Sequence, residues 1–175
     1  MPVSALVITA GSASANAYCD LAFAEQYQLD RPAVGTTWSA ATLDQKNSSI
    51  LWATKLLDDL WDWAGWSTDA IQALLWPRMG MVKKNGWEYV DQHTIPIELQ
   101  QATAEYARQL LAGDLAGNSQ IETLGITSLK AGSVALTFRE SVIAKPVPDT
   151  VFYLIPPSWG CPRSRNKGYR EAIRA

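Results

Sequence analysis

Histidine is almost missing from this sequence: His93 stands alone among 175 residues. A single imidazole excludes His-cluster metal sites and leaves one candidate base for any Ser-His or Cys-His arrangement. Its place just before a helix start suits a surface or capping role. Cysteine is nearly as scarce, and neither Cys19 nor Cys161 has a neighbouring histidine or cysteine to complete a metal set. The pair reads as two free thiols in a reducing compartment or as one disulfide, because separation in sequence does not fix separation in space. No apolar run approaches the roughly 20 residues that span a bilayer. The first residues, Met1 to Cys19, lack the basic start and long apolar stretch of a secretory signal and read as an extended arm. These absences lead us to expect a soluble protein made in the cytoplasm.

Catalytic patterns are also missing. Asp58 and Asp59 occupy consecutive helix positions that point in different directions, so they read as a solvated face and not as an opposed acid/base pair. Gly11-Ser12-Ala13-Ser14 lacks the lysine ending of a phosphate loop, and Ser158-Trp159-Gly160 lacks the glycine spacing of a nucleophile elbow. No enzyme activity, cofactor or metal is expected.

What the chain does have is a hydrophobic fraction of 47%, enough for one real core. The expected fold is mainly α, a small domain of three to four helices with an inserted β-hairpin and extended terminal arms. Asp20 is a good N-cap for a first helix carrying Leu21, Ala24, Tyr27 and Phe23 inward, stopped by Arg31-Pro32. Thr42 and Gln45 have capping-box spacing, and Ile50, Ala53, Leu57, Leu60, Trp61 and Ala64 recur at helical intervals, which predicts a helix from Thr42 to Ala64. A short helical turn is expected at Asp69–Leu75. Asn85-Gly86 offers either a tight hairpin turn or a loop. Pro96 opens a third helix, with Leu99, Ala102, Thr103, Tyr106, Leu110 and Leu111 buried against the second, and Gly113 stops it. Period-two alternation at Val134, Leu136 and Phe138 predicts a hairpin within about 121–140. Pro148 and Asp149 open a last short helix through Ile155.

The charge is unevenly placed. Residues 161–175 carry Arg163, Arg165, Lys167, Arg170 and Arg174 against Glu171, a net of +4 that leaves −6 for residues 1–160 within the total of −2. The chain therefore reads as an acidic body, 1–160, with a basic C-terminal tail, 161–175. This tail is a candidate partner- or DNA-facing segment, and a disordered, solvated end is the alternative.

Eight tryptophans are present, and Trp52, Trp61, Trp63, Trp66, Trp76 and Trp87 crowd one part of the sequence. One helix face cannot hide Trp52, Trp61 and Trp63 together, so some must meet a loop or a partner. Trp61 and Trp76 read as core, Trp63 and Trp66 as candidate subunit-interface anchors. Stacking on single-stranded DNA is the third reading, against which the nearby Lys and Arg are few.

The run from Gln72 to Gly80 containing Trp76-Pro77-Arg78, together with Ala17-Tyr18, Ala53-Thr54, Trp63-Ala64-Gly65, Ile95-Pro96 and Lys130-Ala131-Gly132-Ser133-Val134, resembles a family of small tailed-phage proteins. The resemblance covers Ala15 to Ile155; the extension with Trp159 and Cys161 falls outside it. The family carries the label DnaT-like single-strand DNA-binding protein, yet its setting and architecture are similar to head-to-tail connector or adaptor proteins. The resemblance implies a virion neck subunit in a dodecameric homo-oligomeric ring between the portal protein and a tail, stopper or nozzle protein. Double-stranded DNA would pass its channel without sequence reading. Arg78 is then a further candidate interface residue, with a structural role in its turn as the alternative. The rival implication is a single-strand DNA-binding protein of phage replication.

Overall fold

The computed structural model describes residues 3–31, 36–113, 128–131, 134–137 and 147–163. It is a mainly α-helical domain whose described elements, in chain order, are α1 (Leu21–Leu29), α2 (Thr36–Ala40), α3 (Leu43–Leu60), β1 (Trp61–Trp63), β2 (Trp66–Ser67), β3 (Arg78–Met79), α4 (Ile97–Ala112), β4 (Ser128–Ala131), β5 (Val134–Thr137), α5 (Asp149–Leu154), a 3-10 turn (Pro157–Trp159) and β6 (Gly160–Pro162).

The helix starts follow from local chemistry. The Asp20 carboxylate accepts from the Phe23 amide at 2.7 Å, satisfying one of the free N–H groups that open α1. Thr42 and Gln45 form the full capping box of α3, each side chain accepting from the other's backbone N–H, at 3.3 and 2.8 Å. Pro96 sits one position earlier than the sequence suggests, as the N-cap of α4, and Gly113 ends that helix.

Helices α3 and α4 pack along their length, with α1 and α5 laid against α4. Ile50, Ala53 and Leu57 of α3 meet a core that includes Leu99, Ala102 and Tyr106 of α4, all fully buried. One carboxylate of α4 is buried where the end of α1 meets it. Glu105 accepts from Arg31 beyond α1, from Arg108 at 2.6 Å and from Gln109 at 2.9 Å, so its charge is matched where water cannot reach it.

Two expectations from the sequence need correction. The second helix ends at Leu60, not at Ala64, because Trp61, Asp62 and Trp63 pair antiparallel with Pro162, Cys161 and Gly160. A partner about a hundred residues away in sequence overrides the helical periodicity of that stretch. Asp69–Leu75 forms turns and bends without a helix, with the Asp69 carboxylate accepting from Ile71 N–H at 3.1 Å. Trp159, inside the body read as 1–160, lies at 0% exposure in the core.

Two further short antiparallel ribbons form, β2 with β3 and β4 with β5, the latter in a register that pairs Leu129 with Leu136 and Ala131 with Val134. At Asn85-Gly86 the chain closes a four-residue loop, with Gly86 N–H donating to Lys83 C=O at 2.9 Å and Val82 bridging Tyr89. Only Gly86 takes a positive φ there, +78°, so this is not the two-residue turn that would need Asn85 left-handed as well.

Candidate functional site

The stretch from Trp61 to Asp91 is built around tryptophan. Trp61 stacks on Trp63 with centroids 5.3 Å apart, Trp63 meets Trp76 edge-on at 5.4 Å, and Trp76 tilts against Trp159 at 4.9 Å. Trp159 closes the series by donating its indole N–H to the Val82 carbonyl at 2.6 Å. Trp61, Trp76 and Trp159 are fully buried, as is Trp38, which donates to Glu25 at 3.2 Å. Trp63 is half-buried, its ring held between Trp61 and Trp76.

Arg78 holds this lobe together from inside. It is 8% exposed; its Nε donates to Ala64 C=O at 2.7 Å, Nη2 to Gly65 C=O at 2.8 Å, and Nη1 to Leu75 C=O at 3.0 Å. One planar guanidinium thus ties both approaches to the β2–β3 ribbon, a job its fixed fork of donors suits. Gly65 is needed at the same point: its φ is +65°, and a Cβ there would stand 2.2 Å from the Met79 carbonyl oxygen.

Asp58 is a second tie, and the reading of it as a solvated carboxylate is wrong. It accepts from the Tyr18 hydroxyl and, at 3.1 Å, from Leu75 N–H, joining the N-terminal arm, α3 and the Trp76 turn. Burial pushes its carboxyl up to about 6, the Asp59 charge adds to that, and the bonds from Tyr18 and Leu75 oppose it. A folded value above the unfolded one means that this group's stabilisation is fully present below pH 4 and is lost as pH rises through about 6. We expect the stability difference between wild type and Asp58→Asn to change by about 2–3 kcal/mol between pH 4 and pH 7, read from urea midpoints, with the wild type losing ground as pH rises. An identical pH slope in both proteins would contradict this.

Outside this interior, the lobe presents a second set of large side chains to solvent. Trp66 is 72% exposed and pairs directly with the exposed Met79 across β2–β3, so the two share one face of the ribbon. Trp87, 88% exposed, and Tyr89 follow in the next loop. The exposed charges among residues 66–92 are Lys83 and Lys84 against Asp69, Glu88 and Asp91, and Lys83 is paired with Glu88 at 2.7 Å. The aromatic surface therefore carries no cationic excess.

Of the residues singled out from sequence, Trp66 is on this surface, Trp63 is largely inside, and Arg78 is bound to the backbone of its own lobe. Arg163 is the one member of the basic tail among the described residues: its amide donates to Leu60 C=O and its Nε to Asp62 at 2.7 Å. Arg165, Lys167, Arg170 and Arg174 lie outside the described residues. Both cysteines are free thiols; Cys19 is buried, which pushes its thiol up to about 12, and Cys161 is exposed on β6. His93 is exposed, with its backbone N–H donating to Asp91. Sequence reasoning missed Trp87 and Tyr89 as surface groups, although the Asn85-Gly86 turn beside them was the available signal.

The chain matches, over residues 4–175, the model of the family described as "Putative DnaT-like ssDNA binding protein". It belongs to that family. The match takes in the C-terminal extension that the motif resemblance left out, in keeping with the buried Trp159. No curated protein and no solved structure matches the chain. Among the described residues of this family member, no helix is long and apolar enough to cross a membrane, and no three metal-ligating side chains cluster.

Proposed function

We propose that this protein is a structural subunit of the phage virion, a head-to-tail adaptor that forms a ring between the portal and the tail and attaches the tail while the genome is retained or passes. The observation that carries the reading is the division of the tryptophans. Trp38, Trp61, Trp76 and Trp159 are locked in the core, while Trp66, Met79, Trp87 and Tyr89 are exposed on a lobe whose cations do not outnumber its carboxylates. Exposed aromatics without a basic groove suit a protein partner, for which Trp and Tyr are the common anchors. A closed ring needs two different surfaces on each subunit, and this lobe supplies one. The twelve-fold copy number, the neck location and the portal and tail partners rest on the resemblance of the motifs to adaptor proteins. No catalysis or cofactor enters this role, and the basic segment after Cys161 contacts the portal or the passing duplex through charge alone.

The family description favours a second reading, single-strand DNA binding in replication. It predicts salt-sensitive oligonucleotide affinity with quenching of Trp66 or Trp87 fluorescence, as stacking requires. One set of proteins separates the two. In the adaptor reading, Trp66→Ser with Met79→Ser abolishes ring particles in negative-stain images of the chain mixed with portal particles. The stability read from the urea midpoint then changes by less than about 1 kcal/mol, since both side chains are exposed, and wild-type anisotropy shows negligible oligonucleotide binding at physiological salt. Strong quenching by a single-stranded oligonucleotide, lost in the same double variant, would replace the adaptor reading with the second one.

A further inference from the structure

Two features of the surface are complementary in shape, and the first is concave. An open groove of about 390 Å³ lies between the first half of α3 and the end of α4, with Trp52, Leu110, Leu111 and Val3 as its apolar lining. Trp52 is 42% exposed, so its ring is left half uncovered. The charges at the groove offset one another. Asp44 lies in the first turn of α3, where the helix end is positive, and the Lys55 ammonium stands 6.0 Å from the centre of the Trp52 ring. What the groove selects is therefore an apolar group with little net charge. A cavity of about 150 Å³ is enough for benzene, so 390 Å³ admits an indole with part of the turn that carries it.

The second feature is convex. Trp87, 88% exposed, stands on a loop closed by the Lys83 N–H donating to Glu88 C=O at 2.7 Å. A Cβ built on Gly86 would meet nothing within 4 Å, so this turn projects into open space. Trp66 differs: its ring lies 3.5 Å from where a Cβ on Gly80 would stand, so it covers its own ribbon instead of projecting. The tip carries Lys83, Lys84 and Glu88, and the pairing of Lys83 with Glu88 at 2.7 Å leaves it one net charge. The base of the loop sits beside the end of α3, where Val82 C=O accepts from Trp159 and Trp159 C=O accepts from Ala64 N–H. At a rise of about 1.5 Å per residue, Trp52 and Asp44 lie about 12 and 24 Å back from Leu60 along that helix. Knob and groove thus sit toward opposite ends of α3, and Trp87, exposed as it is, does not fill the groove of its own chain.

We infer that Trp87 of one copy of this chain seats in the Trp52 groove of a second copy. The contact joins two different surfaces, so it is heterologous and repeats from copy to copy, closing into a ring or running into an open chain. It deepens the ring reading, on which the choice of a second copy rests, by naming the two surfaces that meet. A single tryptophan anchor makes a weak contact between two copies, and in a closed ring each copy makes it twice.

The test uses the full chain alone, without portal particles. In sedimentation equilibrium its weight-average mass should rise past that of a dimer as concentration is raised to about 1 mM. Trp87→Ser removes the knob, and Ser48→Arg fills the groove from an exposed helical position at its side. Each should raise the dissociation constant by at least about 30-fold, the effect of losing a tryptophan anchor. An equal mixture of the two variants should associate again and stop at the heterodimer, because only the Trp87 of one and the groove of the other remain to meet. Urea midpoints at the wild-type value establish that both variants are folded. A wild type that stays monomeric or stops at a dimer overturns the inference, as does either variant that associates like the wild type, or a mixture that fails to associate. Association in the expected pattern without rings on portal particles would count against the adaptor reading alone. Portal-bound rings that survive Trp87→Ser would count against this contact alone.

Discussion

Replacing Trp159 by alanine should lower the stability of the protein by about 4 kcal/mol, read as a fall in the urea midpoint at unchanged slope. The indole is wholly enclosed, rests on Trp76 and donates to Val82 C=O, so its removal opens a cavity and leaves a buried carbonyl without its donor. The backbone beside it has little room to collapse: Gly160 has φ +138°, and even a Cβ there would stand 2.2 Å from the Asp62 carbonyl oxygen. A loss of that size is a large part of the roughly 5–15 kcal/mol that holds an ordinary domain together. Trp159→Phe should recover most of the packing and lose the hydrogen bond, about 1–2 kcal/mol. Trp87→Ala, at an exposed tryptophan, should change the stability read from the midpoint by less than about 0.5 kcal/mol. Equal effects at Trp159 and Trp87 would contradict the division of the tryptophans into scaffold and surface.

That division shows where a sequence can and cannot be read. Helix starts are set within four residues, so Asp20, Thr42 with Gln45, and Asp149 after Pro148 announce α1, α3 and α5 in the sequence itself. Apolar spacing likewise places Leu99, Ala102, Thr103 and Tyr106 on the buried side of α4. The end of α3 is different in kind. Nothing near Leu60 stops the helix; the stop is the pairing of Trp61–Trp63 with Gly160–Pro162, and a periodicity argument does not see a partner that distant. Asp58 is invisible for the same reason, since a carboxylate at a helical position looks solvated until Tyr18 and Leu75 are brought onto it from two other segments. For the candidate site, composition shows that the tryptophans cannot all be core, but not which are exposed. Trp63 and Trp66 are three residues apart and equivalent by type, and only the β1–β6 and β2–β3 pairings send one inward and the other out.

Arg78 offers the sharpest division between scaffold and interface, because the two roles predict opposite results for one substitution. Its guanidinium is buried and engaged by the carbonyls of Ala64, Gly65 and Leu75, and burial draws its pKa below the ordinary arginine value while Asp58 nearby holds it up. Arg78→Ala removes the donors from three carbonyls at once, and at about 1–3 kcal/mol for each buried group, reduced where water enters the space vacated, a loss of about 3–5 kcal/mol is expected. Arg78→Lys should recover less than half of it, since one ammonium on a flexible stem cannot reach three acceptors fixed in a planar fan. The damage should also be local. Amide exchange should rise through 64–79, where the clamp holds the approaches to β2 and β3, before it rises in α3 or α4, whose packing does not involve Arg78. Trp66 and Met79 would then lose their fixed presentation, and ring assembly would fail as a consequence of the loosened ribbon. If Arg78→Ala instead keeps the wild-type midpoint and exchange pattern and fails only to assemble, the guanidinium acts across a subunit boundary and the clamp is dispensable to the fold.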